Sequence, residues 1–171
     1  LFRLYLYNNY IIAEIPRDAN FGKRMKSQAI PFSAKLLGYF GVLPFAVLAV
    51  VHFYGAVKVE AWAVQGFLAY GAVILSFLGG IRWGVASVDD RFRGAAPFIA
   101  VLPSLWAFAC LLWPDPGHAV WALLAGFLMM GVADRWFPAP GSADWMVVLR
   151  VRLSSAVIAC HGILIASMTV Q

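Results

Sequence analysis

Charged side chains near the ends of three apolar segments are the strongest candidates for chemistry in this chain. They lie within about one helical turn of a segment end, and they are Arg82, Asp134, Arg135, Arg150 and Arg152. A guanidinium carries several N–H donors in a planar fork that fits carboxylates and phosphates. If the fold brings these segments together, the cluster would form an ion pair or a site for an anion.

Three interpretations of this cluster stay open. In the structural one, Asp134 pairs with an arginine and the other guanidinium groups extend to the membrane surface. In the functional one, a basic pocket between helices binds the phosphate of an anionic lipid such as cardiolipin. Its headgroup ligands would be Arg82, Arg135, Arg150 and Arg152. The third interpretation is a path for a substrate or a proton.

Two histidines raise the question of a haem site. His52 and His161 fall in the first and the last apolar segment. A haem held by two histidines needs them at matched depth, and a rise of about 1.5 Å per residue puts these two several ångströms apart. We therefore expect both histidines to be held inside the bundle without a haem.

The rest of the sequence lacks the patterns that mark an active site. It shows no metal-ligand spacing, no Ser/His/Asp set on one helical face and no phosphate-binding loop. Cys110 and Cys160 are the only cysteines, and both lie in apolar segments, which argues against a disulfide framework. We expect a protein that is not an enzyme and that holds no metal or cofactor, structural phospholipid excepted.

The composition requires a membrane around these residues. Of the 171 residues, 63% are hydrophobic and 12% are charged, whereas soluble domains are about half apolar and about one quarter charged. Five apolar stretches approach the length of about 20 residues that a spanning helix needs, and they are continuous rather than alternating. They cover residues 36–57, 61–86, 95–113, 119–137 and 147–170, the last starting at 147 or 153.

The basic residues predict an orientation for such a bundle. Loops between the stretches are short, so successive helices must run in opposite directions. Twelve of the thirteen lysines and arginines then fall on one side, and Lys58 alone falls on the other. The positive-inside rule places the N-terminus in the cytoplasm or the mitochondrial matrix and the C-terminus on the opposite side. We interpret the basic excess as topology signal and lipid contact, with no nucleic-acid partner.

These observations predict an all-α integral membrane protein with two regions. Residues 36–171 would form a bundle of five transmembrane helices. Residues 1–35 would form a basic and aromatic arm on the inner membrane surface or on a neighbouring subunit. Within the bundle, small residues of the second stretch predict close helix packing, and they are Gly71, Gly79, Gly80 and Gly84. Pro44 and Pro103 each remove a helical hydrogen bond and predict kinks.

The second stretch also carries a family resemblance. Its most distinctive part is the run from Tyr70 to Gly80, followed by Arg82-Trp83-Gly84. Further matches follow in order along residues 35–170, and they are Gly38, Leu43-Pro44-Phe45, Leu102-Pro103-Ser104-Leu105, Asp134, Leu149-Arg150 and Arg152-Leu153. Together they resemble a bacterial and mitochondrial family of small multi-pass membrane proteins that includes eukaryotic transmembrane protein 69. The resemblance implies a membrane bundle and, for eukaryotic members, a mitochondrial setting.

The expected function is that of a non-catalytic accessory subunit in a larger inner-membrane complex. A respiratory-chain assembly of a mitochondrion or a bacterium is the predicted setting, with other membrane subunits and anionic phospholipids as partners. The alternative is a small anion carrier or channel, in which Pro44, Pro103 and the arginine cluster would form the path.

Overall fold

The computed structural model of the chain describes residues 4–7, 10–13, 29–55, 57–87, 96–138 and 142–170. These residues form two short strands and five helices. They are β1 (Leu4–Tyr7), β2 (Tyr10–Ala13), α1 (Phe32–Tyr54), α2 (Val57–Ser87), α3 (Ala96–Leu111), α4 (Pro116–Trp136) and α5 (Asp144–Val170). The prediction of helices is confirmed for each of the five apolar stretches.

The strands lie in the segment predicted as an arm. β1 and β2 pair antiparallel, with Leu4 opposite Ala13 and Tyr7 opposite Tyr10. Leucine, tyrosine and isoleucine suit strands, but four residues are too few for alternation to predict a strand in advance. The basic residues of the arm before Lys35 lie outside the described residues. The predicted docking of the arm on the membrane surface or on a neighbouring subunit therefore stays a prediction.

Helix α1 begins at Phe32 rather than at residue 36. Pro31 precedes it with an extended backbone, ψ being 138°, and proline favours the start of a helix because no N–H is needed there. The prediction began the stretch after Lys35, which is charged and exposed. The first turn of the helix is therefore more polar than the span that follows it.

Four of the described helices, α1, α2, α4 and α5, are long and apolar enough to cross a membrane. The protein is therefore an integral membrane protein of helical type. Helix α3 has 16 residues, fewer than the about 20 that a span needs, so the predicted fifth span stays a prediction.

The four long helices form the centre of the bundle, and α3 lies at its side. Each helix contacts the one that follows it in sequence; in addition, α1 packs against α5 and α2 packs against α4. Helix α3 contacts only α2 and α4 among the described helices. The short connections between the stretches account for the contacts between successive helices, since they keep these helices adjacent.

Aromatic rings fill the middle of this bundle. Phe45 of α1 is fully buried, and its ring centroid lies 5.1 Å from Phe67 of α2 and 5.8 Å from Phe127 of α4. Both pairs meet edge to face, the arrangement that the charge distribution of the rings favours. Because lipid tails are as apolar as these rings, the cluster stabilises the bundle through close packing rather than through removal from water.

Asp115 caps the N-terminus of α4. Its carboxylate accepts hydrogen bonds from the backbone N–H of His118 at 2.7 Å and from His118 Nδ1 at 2.9 Å. The hydrogen bond from the backbone N–H is the main reason why the pKa of the Asp115 carboxyl lies below its ordinary value. The carboxylate form is thus tied to the folded first turn of the helix.

Acidification is expected to loosen this first turn. Because the native pKa is lowered, Asp115 stabilises the folded state above the ordinary carboxyl pKa of about 4. That contribution is lost as the pH falls through the lower native pKa. Hydrogen–deuterium exchange should show smaller protection factors for the first turn of α4 at low pH than near neutrality. Asp115→Asn keeps a capping oxygen but does not titrate, so this variant should lose the pH dependence; if it kept the dependence, another group would be responsible.

Candidate functional site

Asp134 joins α2 to α5 through two arginines. Arg82 Nη1 donates to Asp134 Oδ1 at 3.0 Å, and Arg150 Nε donates to Asp134 Oδ2 at 2.8 Å. The side chains of these residues are between 4% and 12% exposed. We call Arg82, Asp134 and Arg150 the arginine–aspartate triad. The predicted pairing of Asp134 with an arginine is confirmed, and the structure adds a second arginine.

Backbone oxygens bind the remaining ends of both guanidinium groups. Arg82 Nη2 donates to the carbonyl oxygen of Phe137 at 2.9 Å, and Arg150 Nη2 donates to that of Leu78 at 3.3 Å. Phe137 directly follows α4, where helical carbonyls lack a partner within the helix and carry partial negative charge. The triad therefore ties the end of α4 to α2 and α5 as well as neutralising Asp134.

Chain direction explains why these residues meet. Arg82 lies near the end of α2, Asp134 lies in the last turn of α4, and Arg150 lies near the start of α5. Helices α2 and α4 thus end, and α5 begins, at the same end of the bundle. We call this the triad end. Two guanidinium groups face one carboxylate, so the triad carries one excess positive charge. Such a centre can hold helices together and can attract an anion.

The other two predicted headgroup ligands lie outside the triad. Arg135 and Arg152 are both exposed. The guanidinium carbon of Arg135 lies 5.3 Å from the ring centroid of Trp136, a cation–π distance. The fold thus brings Arg82 and Arg150 together on one carboxylate and leaves Arg135 and Arg152 on the surface near the triad end.

Two apolar clefts border the triad, and α2 contributes to the walls of both. The α2–α3–α4 cleft has a volume of about 520 Å³ and includes Arg82 in its lining. The α1–α2–α5 cleft has a volume of about 530 Å³ and includes Arg150. Both volumes lie in the range typical of ligand sites, about 300–1,000 Å³. Neither cleft is predictable from the sequence, because each depends on gaps between helices that composition does not reveal.

Buried polar side chains also line the inward face of α5; the buried histidine among them was predicted, and the two serines were not. Besides Arg150, they are Ser154, His161 and Ser167. Arg150, Ser154 and His161 recur with Val157 between them, at the spacing of three and four residues that marks one helical face. That spacing was available in the sequence and could have identified this face as the inner one.

His52 forms a hydrogen bond with Ser167 at the end of the bundle opposite the triad. Its Nδ1 lies 2.7 Å from Ser167 Oγ, and that hydroxyl donates to the carbonyl oxygen of Leu164 at 2.7 Å. His52 Nδ1 is therefore the donor, since the hydroxyl proton is already used. This contact links α1 to α5, and it places His52 against Ser167 rather than against His161.

His161 lies in the middle of the bundle among aromatic rings. Its ring centroid is 4.6 Å from that of Phe67 and 5.3 Å from that of Phe127. Its Nδ1 donates to the carbonyl oxygen of Val157 at 2.9 Å. Because a carbonyl only accepts, Nε2 is left as an acceptor, and it is buried without a hydrogen-bond partner among the described residues.

Replacing His161 by leucine is expected to stabilise the protein by about 1–2 kcal/mol, since an unpaired buried acceptor costs about 1–3 kcal/mol. Reversible unfolding in mixed micelles would measure the free energy. His52→Leu is the control: it deprives Ser167 of a donor and should destabilise the protein. If His161→Leu also destabilised it, Nε2 would have a partner in the folded protein, such as a buried water.

The four glycines predicted to pack helices behave in two ways. A Cβ added to Gly71 would lie 2.5 Å from Leu123 Cδ2, and one added to Gly79 would lie 2.6 Å from the carbonyl oxygen of Ala100. By contrast, a Cβ at Gly80 or Gly84 would meet no atom of the described chain within 4 Å. Gly71 and Gly79 thus serve contacts inside the bundle, and the packing role of Gly80 and Gly84 stays a prediction.

The described residues give little support to a metal centre. They contain no group of three or more histidine, cysteine, aspartate or glutamate side chains placed to hold one ion. Cys110 and Cys160 are buried free thiols. At the triad, the described residues offer charge pairing and attraction for an anion.

Comparison with known proteins gives the chain a family. Residues 30–166 match the family described as Protein of unknown function (DUF3429). Transmembrane protein 69 of Xenopus tropicalis is 32% identical over 145 residues, which cover 80% of this chain and 55% of that protein. The chain thus spans about half the length of this relative. No solved structure matches the chain. The predicted resemblance to the group of transmembrane protein 69 is confirmed, and the chain belongs to the DUF3429 family of membrane proteins.

Proposed function

We propose that the protein is a non-catalytic accessory subunit of a larger assembly in a mitochondrial or bacterial inner membrane, such as a respiratory complex. Gly80 and Gly84 carry this proposal. They have the small-xxx-small spacing that lets transmembrane helices approach closely, and no described atom of the chain occupies the space beside them. Their surface on α2 is therefore suited to a helix of another subunit.

The triad and the ring cluster support a structural role. Phe45, Phe67 and Phe127 are fully buried between the triad end and the opposite end of the bundle. Within the triad the two arginines pair with the carboxylate, and each arginine also donates to a backbone carbonyl oxygen. These features favour a rigid, self-contained bundle that presents outer surfaces to partners. In the proposed orientation the triad end faces the matrix or cytoplasm, beside anionic headgroups.

A native-gel profile of the source membranes, solubilised in mild detergent, tests this proposal. The protein is expected to migrate far above its monomer mass together with other subunits. Gly80→Leu and Gly84→Leu should shift it toward the free form. Gly162→Leu is the matched control, because Gly162 is also exposed and open but lies on α5. Migration of the wild type only as a monomer or a small homo-oligomer would refute the proposal.

An anion carrier or channel is the second candidate. The excess positive charge of the triad favours it, because Arg82 and Arg150 would draw an anion to the triad end. The buried rings of the bundle centre oppose it, since an anion would have to displace them. Reconstituted protein should then show anion flux that is lost in Arg82→Ala or Arg150→Ala, and a wild type without flux would eliminate this candidate.

A further inference from the structure

The α2–α3–α4 cleft combines an apolar trough with a cation at one end. Its walls include Leu75, Ile99, Leu102 and Met129. Arg82 lines the same cleft, and it lies at the triad end of α2. An apolar trough that ends at a guanidinium matches a molecule with a hydrocarbon chain and an anionic head.

The depth of the cleft matches one leaflet of a bilayer. Along α3 the lining runs from Ile99 to Ala109, which is about 15 Å at a rise of about 1.5 Å per residue. The hydrocarbon core of a bilayer is about 30 Å thick, so a single leaflet contributes about half of that. A lipid chain that entered at the level of Arg82 would therefore extend along the whole cleft and end near the bilayer middle.

The walls of the cleft are partly fixed and partly adaptable. Trp106 Nε1 donates to the carbonyl oxygen of Ala122 at 2.8 Å, which anchors the indole. Gly126 makes room for that ring, because an added Cβ would lie 2.8 Å from Trp106 Cδ1. Met129 and Met130 line the opposite part, and methionine side chains adapt to irregular shapes. One rigid wall and one adaptable wall suit a flexible acyl chain.

Arg82 is able to bind a second anion. It uses Nη1 for Asp134 and Nη2 for Phe137, and a guanidinium has further N–H groups beyond these two bonds. Its side chain is 12% exposed, and the triad retains one positive charge. The Arg150 side chain is 10% exposed and does not line this cleft, so Arg82 is the arginine that a headgroup at this cleft would meet.

We propose that the α2–α3–α4 cleft binds one acyl chain of an anionic phospholipid whose phosphate contacts Arg82. This inference rests on the proposed orientation, in which the triad end lies at the inner headgroup layer. It assigns the lipid contact to Arg82 and to the apolar cleft, and it leaves Arg135 and Arg152 as surface charges of the same layer.

Quenching of Trp106 by brominated phospholipids tests the proposal. Purified full-length protein and its Trp106→Phe variant are reconstituted in vesicles of phosphatidylcholine. The vesicles contain the same small fraction of brominated phosphatidylglycerol or of brominated phosphatidylcholine. The difference between the two proteins gives the quenching of Trp106 itself. We expect an about fivefold preference for the anionic lipid, which corresponds to about 1 kcal/mol.

Two substitutions, each with a control variant, separate the contribution of the headgroup contact from that of the cleft. Arg82→Gln should abolish the preference, whereas Arg150→Gln should retain it, and both variants keep one arginine on Asp134. Ala109→Phe leaves the triad intact but fills the cleft, so it should reduce quenching by both lipids. Ala159→Phe, at an exposed position of α5 outside the cleft lining, controls for the added ring.

Three results would overturn the inference: equal quenching by the two lipids, a preference that survives Arg82→Gln, or no quenching in either vesicle. The last result would show that another segment of the chain or a second copy of it fills the cleft. Since only purified protein and lipid are present, failure of the native-gel test leaves this measurement unaffected. The two proposals can therefore fail separately.

Discussion

Asp134→Asn is expected to destabilise the bundle by about 3–5 kcal/mol, the cost typical of removing one partner from a buried ionic group. Asparagine keeps the shape of the side chain and one acceptor oxygen. It removes the only carboxylate that faces Arg82 and Arg150 among the described residues, so two guanidinium groups would stay buried without a counterion. Reversible unfolding of the purified protein in mixed micelles would measure the loss.

The matched controls for this prediction come from the same region. Asp144→Asn also removes a carboxylate, but Asp144 is exposed in the first turn of α5, so its effect should stay below about 1 kcal/mol. Arg82→Gln and Arg150→Gln each leave one arginine paired with Asp134 and should therefore cost less than Asp134→Asn. If Asp134→Asn cost no more than Asp144→Asn, the triad would not hold the bundle together.

The triad shows how far the sequence leads toward the site. Its members could be predicted to lie at one level, because helix direction and short loops fix which segment ends face each other. The pairing of Asp134 with an arginine follows from the cost of a lone charge in a membrane. The choice of Arg82 and Arg150 over Arg135 and Arg152 could not be predicted, since it depends on the rotation of each helix about its axis.

The helices themselves were predictable for a simpler reason. An apolar stretch must satisfy its backbone hydrogen bonds internally when lipid surrounds it, and a helix does this within one segment. The ends of the stretches were less certain, as the start of α1 after Pro31 shows. The clefts were not predictable at all. The α2–α3–α4 cleft depends on the distance between α3 and α4, and the close contact of α3 with α2 at Gly79 helps to set that distance.

Helix rotation also separates two neighbouring glycines. On α2, Gly79 faces α3 and is buried, whereas Gly80 is exposed. An alanine Cβ at position 79 would lie 2.6 Å from the carbonyl oxygen of Ala100 and 3.3 Å from Pro103 Cβ. The first of these atoms belongs to the backbone of α3, so it cannot turn aside as a side chain could.

Gly79→Ala is therefore expected to destabilise the protein by about 1–3 kcal/mol, the usual cost of overpacking. Gly80→Ala should be neutral or should stabilise it by up to about 1 kcal/mol, because alanine favours helices over glycine. Unfolding of the two purified variants in the same micelles would measure the difference.

Equal effects would show that α3 does not pack on Gly79, and a large loss for Gly80→Ala would show that another part of the chain covers that face of α2. If both variants unfold as expected, the contact of α2 with α3 is close enough at Gly79 to fix one wall of the cleft, and Gly80 is free for a helix of a partner.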